Sequence, residues 1–154
     1  DWGENRRKAM SILQREAELE ELVRLVGIES LSADDRLLME VARMIREDFL
    51  HQSAFDAIDT YTALDKQFRL LDVNLRYDRL ARRAPHDGAE LNQVLAVPVL
   101  ADIARAKRIT PDQTTSAFDT LDAQVEQQVQ GLTSSAETDA VPAQATENQE
   151  ATSA

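Results

Sequence analysis

Residues 16–37 read EAELEELVRLVGIESLSADDRL, and two of its features, a lone glycine and a serine that opens a second periodic stretch, decide the architecture. Upstream, from Glu4 to Val26, the apolar residues Ala9, Met10, Leu13, Ala17, Leu22, Val23 and Val26 recur mostly at three- and four-residue intervals among Arg, Glu and Gln. This is the pattern of an amphipathic helix, with Gly27 as its left-handed cap. Ser32 followed three residues later by Asp35 has capping-box spacing, in which each side chain serves a backbone N–H of the other residue. Asp34 and Asp35 then fall in a first helical turn, where the macrodipole favours each by ~0.3–1 kcal/mol. Leu37, Leu38, Val41, Ala42, Ile45 and Phe49 continue a helix through Leu50. The connection from Gly27 to Leu31 is short, so the second helix is expected to return along the first as an antiparallel hairpin. Capping accounts for Ser32, Asp34 and Asp35; it leaves Glu29 and an outward-facing Leu31 at the tip.

Beyond the hairpin, HQSAFDAIDTYT (His51 to Thr62) breaks the periodicity and reads as an irregular segment with room for a short turn of helix. Thr62 and Asp65 again have capping-box spacing, and Leu64, Phe68, Leu71 and Leu75 form the stripe of a third helix, flanked by Val73, Tyr77 and Leu80. That helix should end near Arg83, before Pro85 and the turn at His86, Asp87 and Gly88. Ala89 to Ala96 reads as a short helix, and Pro98 suits the first turn of another running to about Lys107. Thr110, Pro111, Asp112 and Gln113 combine an N-cap, a proline at N1, a first-turn acid and a box partner at N3. The last helix carries Ala117, Phe118, Leu121, Val125 and Val129 and is expected to stop at Gly131. No stretch reads as a strand.

The expectation is therefore an all-α bundle over residues 1–131 followed by a tail, 132–154, rich in Ser, Thr, Ala, Gln and Glu. The tail has no aromatic residue and no Lys or Arg, so it cannot bury enough apolar surface to offset its ordering entropy, and disorder is expected there. For the chain as a whole, 43% hydrophobic and 29% charged residues are those of a globular protein. A formal charge of −11 and a pI near 4.6 argue against a grip on nucleic-acid backbones, which needs clustered cations. With no cysteine there is no disulfide framework and no thiolate chemistry. No apolar run approaches the roughly 20 residues of a membrane span, so no direct membrane insertion is expected.

Sites for chemistry are sparse. Gly3, Gly27, Gly88 and Gly131 each stand alone, whereas a phosphate-cradling loop needs clustered glycines. Asp48 and His51 have the spacing of one helix face and resemble half of a carboxylate-bridged metal site, but such sites need the motif twice with two further carboxylates. His86 sits in a turn beside Asp87. Neighbouring acids such as Glu20 and Glu21 do not raise a pKa unless buried or forced together. No catalytic residue and no metal ligand is assigned. Arg76, Arg79, Arg82 and Arg83, within Arg76 to Ala84, read either as a solvated face near a helix C-terminus or as a docking patch for an acidic partner.

Taken together, VARMIREDFLHQSAFDAIDTYT (Val41 to Thr62), EAELEELVRLVG (Glu16 to Gly27) and LSADDRL resemble the carboxy-terminal helical domain of the catalytic A subunit of archaeal and vacuolar-type rotary ATPases. The likeness runs from about Asp1 to near Gln130. The resemblance implies a nucleotide-binding domain upstream, which suits a chain that begins at Asp1 with a helical pattern from Trp2. That domain would hold the phosphate-binding loop, the magnesium ligands and the glutamate that positions water. ATP or ADP with Mg2+ would accordingly be bound by the intact complex, and this part alone should be inert. The implied partners are B-type subunits and the central rotor stalk, in a soluble head on the cytoplasmic face of a membrane, coupling ATP turnover to proton or sodium transport.

Two local roles follow from the same resemblance. In related catalytic chains an acidic helix–loop–helix bears on the rotor shaft, which would place Glu29, Leu31, Asp34 and Asp35 at a rotor-facing tip. Aromatics of the irregular segment pack on the adenine ring, and the best matches are Phe55 and Tyr61; core packing explains either of them equally well. The family usually has Gln-Asn where this chain has Gln52 and Ser53, and the tail has no counterpart in it. The alternative reading, from a different class, is a free-standing helical adaptor without nucleotide chemistry.

Overall fold

The computed structural model describes residues 1–51 and 64–139, with side chains through 133, and every regular element among them is helical. Helix α1 spans Trp2–Val26 and is capped at its start by the Asp1 carboxylate, which accepts from the Gly3 N–H at 3.1 Å. Its end is fixed by Gly27, at φ 87° and ψ 157°, whose N–H donates to the Val23 carbonyl at 2.8 Å. That backbone region belongs essentially to glycine. A 3₁₀ turn, Ile28–Ser30, carries the chain to Ser32, the cap of α2 (Ala33–Met44). Helix α3 is Leu64–Arg83, α4 the short Leu91–Val94 and α5 Val99–Arg105. The last helix, α6, runs Thr114–Asp139.

The face that α1 buries is not the one its apolar spacing suggests. Ala9, Ile12, Glu16 and Leu19 turn inward, while Met10 is 64% and Leu22 43% exposed. Ala9, Ile12, Glu16 and Leu19 follow a three-four-three pattern, but the glutamate at its centre hides it from a hydrophobic reading. Helix α2 packs antiparallel on α1 through Leu37, Val41, Ala42 and Met44. Helix α3 is the axis of the bundle: it touches α1, α2, α5 and α6, and its Leu71, Asn74, Tyr77, Asp78 and Ala81 have no exposed surface. Leu64, expected in its stripe, is 80% exposed instead.

Several buried polar groups find partners within the bundle, which offsets the cost of their burial. The Tyr77 hydroxyl donates to the Val94 carbonyl at 2.9 Å, fastening α4 to α3. Asp78 accepts from Arg82 at 2.7 Å and faces the Lys8 ammonium of α1 at 3.2 Å. Helix α5 lacks a side-chain cap of its own; the Gln128 side chain of α6 accepts from the Val99 N–H at 2.8 Å in its place.

Three further expectations need correction. Thr110 makes no side-chain cap; Pro111–Gln113 form a 3₁₀ turn before α6, and the Thr110 carbonyl accepts from the Gln113 N–H at 3.0 Å. Helix α6 does not stop at Gly131 but continues to Asp139. Finally, Arg76 is not part of a solvated face. It pairs with Asp122 at 3.1 Å and Glu126 at 2.6 Å, while Arg69 reaches Asp119 at 2.5 Å and lies over the Phe118 ring. These pairs bind α3 to α6, with Arg79 and Arg83 left exposed.

Candidate functional site

The tip of the α1–α2 hairpin is rigid by construction. The Ser32 hydroxyl oxygen accepts from the Asp35 N–H at 3.1 Å, as the capping box demands, and the hydroxyl donates to the Asp35 carboxylate at 3.0 Å. The Ser30 hydroxyl donates to the Val26 carbonyl at 2.9 Å, and the Leu31 N–H closes on the Ile28 carbonyl at 3.1 Å. With both ends of the turn tied to the helices, the connection has little freedom.

Of the four residues expected at this tip, two face solvent and two do not. Glu29 and Asp34 are exposed. Asp35 is half-buried and engaged, by the Ser32 hydroxyl and by Arg15 of α1 at 3.8 Å. Leu31 is buried, at 7% exposure, contrary to the expectation that it faces outward. The backbone at Leu31 is extended, at φ −75° and ψ 144°. The apolar surface of the tip comes from elsewhere: Leu22, Leu25, Val26 and Ile28 are 43%, 75%, 55% and 51% exposed. They lie in the last turns of α1 and the residue after its cap, beside Glu20, Glu21 and Glu29. Exposed leucines are common singly, but a contiguous apolar patch rimmed by charge marks a contact surface. Helical spacing assigns Leu22 and Val26 to the core stripe, which hides the patch from a sequence reading.

At the opposite end of α2 the helix widens into a π turn, Ile45–Leu50, closed by the His51 N–H donating to the Arg46 carbonyl at 2.9 Å. Such turns are rare and concentrate at functional positions. The turn buries Ile45 and Asp48 and turns Leu50 out. Burial pushes the Asp48 carboxyl above its ordinary range, against the opposing pull of Arg43 and Lys107. The π turn also separates Asp48 from His51, which is exposed and lies past the helix end in extended backbone, so the two do not share a face. Among the described residues no group of three or more His, Cys, Asp or Glu is placed to hold a metal ion.

Around this turn the start of the chain returns. Trp2 meets Phe49 edge-on at a centroid distance of 6.5 Å and Phe68 of α3 at 6.4 Å. The Arg46 guanidinium reaches both carboxylate oxygens of the buried Glu16 at 2.6 Å, a hydrogen bond that holds Arg46 firmly protonated. From the other side the Lys107 ammonium approaches the Glu47 carbonyl at 3.5 Å. Phe55 and Tyr61, the expected adenine contacts, lie outside the described residues, as do Gln52, Ser53 and Thr62. A surface depression lies on one face of α1, lined by Arg6, Arg7 and Met10 among others. It has no converging polar groups from a second element and no character of a reaction site.

Comparison with known proteins places this arrangement. Residues 1–93 match the family model described as the C-terminal domain of V and A type ATP synthase. The V-type ATP synthase alpha chain of Thermoanaerobacter pseudethanolicus is 46% identical over 132 residues, which are 86% of this chain and 22% of that protein. V-type ATP synthase alpha chain 1 of Clostridium tetani is 51% identical over 109 residues, 71% of this chain and 18% of that one. The alpha chain of Clostridium botulinum is 52% identical over 113 residues, 73% and 19% respectively. The chain thus spans about a fifth of the length of the curated relatives it matches.

Proposed function

Because the chain belongs to the family of C-terminal domains of V and A type ATP synthases, we propose that it is the rotor-coupling part of a catalytic alpha subunit. In this reading the parent protein interconverts ATP turnover and proton or sodium transport. ATP or ADP with Mg2+ is held by the rest of the subunit and by neighbouring B-type subunits, in a head on the cytoplasmic face of a membrane. No helix among the described residues is long and apolar enough to cross a membrane, which suits a peripheral position. The helical domain would act mechanically.

The single observation that carries this reading is the hairpin tip: a tied turn that presents Leu22, Leu25, Val26 and Ile28 outward among carboxylates. A packed bundle behind it moves as a rigid body, because close-packed interiors switch between arrangements rather than deform. When nucleotide binds upstream, the hairpin swings and the tip presses on the central stalk. Contact is made by the apolar patch together with Glu29 and Asp34, and the fit of its shape outweighs its charge, since exposed ion pairs contribute only ~0–1 kcal/mol. Leu31 and Asp35 support the turn from inside. Phe55 and Tyr61, in the segment after His51, would stack on the adenine.

The test is made in the intact complex. Replacing Leu25 and Ile28 together by serine should lower ion transport per ATP hydrolysed, while the assembled complex keeps its hydrolytic turnover. Unchanged coupling in that variant would refute the tip's role. The adaptor reading has no comparable observation in its favour.

A further inference from the structure

The hairpin tip and the π turn lie at opposite ends of α2, and one side-chain pair ties the π turn back onto α1. Glu16 is 5% exposed on the inward face of α1. Both of its oxygens sit 2.6 Å from Nη1 of Arg46, the second residue of the π turn. The carbonyl of Arg46 is also the acceptor of the wide bond from the His51 N–H that defines the turn. One residue therefore anchors the turn twice, by its side chain to α1 and by its backbone to the point where the chain leaves α2. The next residue of the turn, Glu47, is approached through its carbonyl by Lys107, in the 3₁₀ turn Ala106–Arg108 that follows α5. A surface turn held only for stability needs no such pairing. A buried carboxylate is costly to retain, and replacement of such pairs by apolar groups is often neutral or stabilising.

We propose that Glu16 is a positioning residue: through Arg46 it locks the π turn to α1, so that a change in the chain beyond His51 is transmitted to the hairpin as a whole rather than absorbed in the turn. The inference rests on the coupling function proposed above and deepens it. It assigns the transmission to a named pair at the base of the hairpin, distinct from the contact residues at the tip.

Single removal of Arg46 would leave the Glu16 charge buried and unpaired and would confound coupling with folding. The informative variant is the uncharged pair E16Q/R46M, which keeps both side chains long and unbranched at Cβ. It is compared in the intact complex with R46K, which keeps a cation within reach of Glu16, and with the serine tip variant. Two readouts apply: ions moved per ATP hydrolysed, and hydrogen exchange of the backbone amides from Ile45 to His51. In E16Q/R46M the coupling ratio should fall about threefold, within the range in which single couplings are modulated, and exchange over the π turn should rise, with R46K close to wild type on both. If E16Q/R46M assembles, keeps its π turn protected and couples normally, the proposal is wrong. If the double variant does not assemble, E16Q alone, which leaves only the half-exposed Arg46 to return to water, reads the same two quantities. Should the tip variant uncouple while the pair variant does not, this inference falls and the proposed function stands. Should neither uncouple, both fall.

Discussion

The carboxylate of Asp78, wholly buried in α3, lies 3.2 Å from the Lys8 ammonium of α1 and accepts from Arg82 at 2.7 Å. Lys8 and Arg82 are partly exposed, 45% and 34%, so the three groups are unequal. If Asp78 is replaced by Asn, the two cations can return to water. If both cations are replaced by Met, a buried charge is stranded. We therefore expect K8M/R82M to destabilise the chain by ~3–5 kcal/mol and D78N by clearly less. Urea titration of both variants checks the order; the reverse order would show that Asp78 is not held by these cations.

Tyr77 links α3 to the Val94 carbonyl at 2.9 Å and has no exposed surface. Y77F should cost ~1–3 kcal/mol, since it leaves a buried carbonyl without its donor. Burial, with Glu40 and Asp78 adding to it, raises the Tyr77 pKa well above its ordinary value. The unfolded chain therefore loses this proton near pH 10 while the folded chain keeps it, and stability falls as pH rises beyond that point. Y77F should lack this alkaline loss, which thermal melts between pH 8 and 11 would detect.

Asp48 carries a raised pKa, chiefly from burial. The folded chain binds its proton more tightly than the unfolded chain, so the contribution of Asp48 to stability declines as pH rises from its unfolded value through its folded value. D48N should accordingly gain stability at pH 7 relative to wild type, and the gain should vanish below about pH 4. A D48N variant less stable than wild type at pH 7 would reveal a need for the charge.

The two glycines that bound helices on sequence grounds differ in kind. Gly27 has a positive φ of 87°, with nothing within 4 Å of where a Cβ would stand, so G27A strains the backbone alone, by ~1–3 kcal/mol. Gly131 lies inside α6, and a Cβ there would likewise meet nothing within 4 Å. G131A should stabilise by ~0.5–1 kcal/mol, as alanine replaces glycine in a helix interior. Denaturation of the two variants should show opposite signs.

This contrast shows where the sequence was legible and where it was not. The first helix with its end at Gly27, the Ser32 cap on the Asp35 N–H and the helical hairpin follow from local chemistry, and all appear in the fold. Which face of α1 is buried does not follow, because Glu16 is inward only by virtue of a partner thirty residues away on the π turn. The π turn itself carries no glycine or proline to announce it; it is set by tertiary ties to α1 and α5. Leu31 reads as exposed because it precedes a cap, yet it is buried in the fold. Leu22 and Val26 could not be recognised as surface for a related reason: an apolar residue at helical spacing looks like core until the packing partner is known.

The central claim is that the tip of the α1–α2 hairpin touches the rotor. It is tested most directly by placing a photo-reactive residue at Ile28, which is 51% exposed, in the assembled complex and identifying what it cross-links on illumination. The account predicts a covalent adduct with a subunit of the central stalk, diminished when the same residue is placed at the buried Leu31. Adducts only with neighbouring head subunits, or an equal yield from both positions, would contradict it.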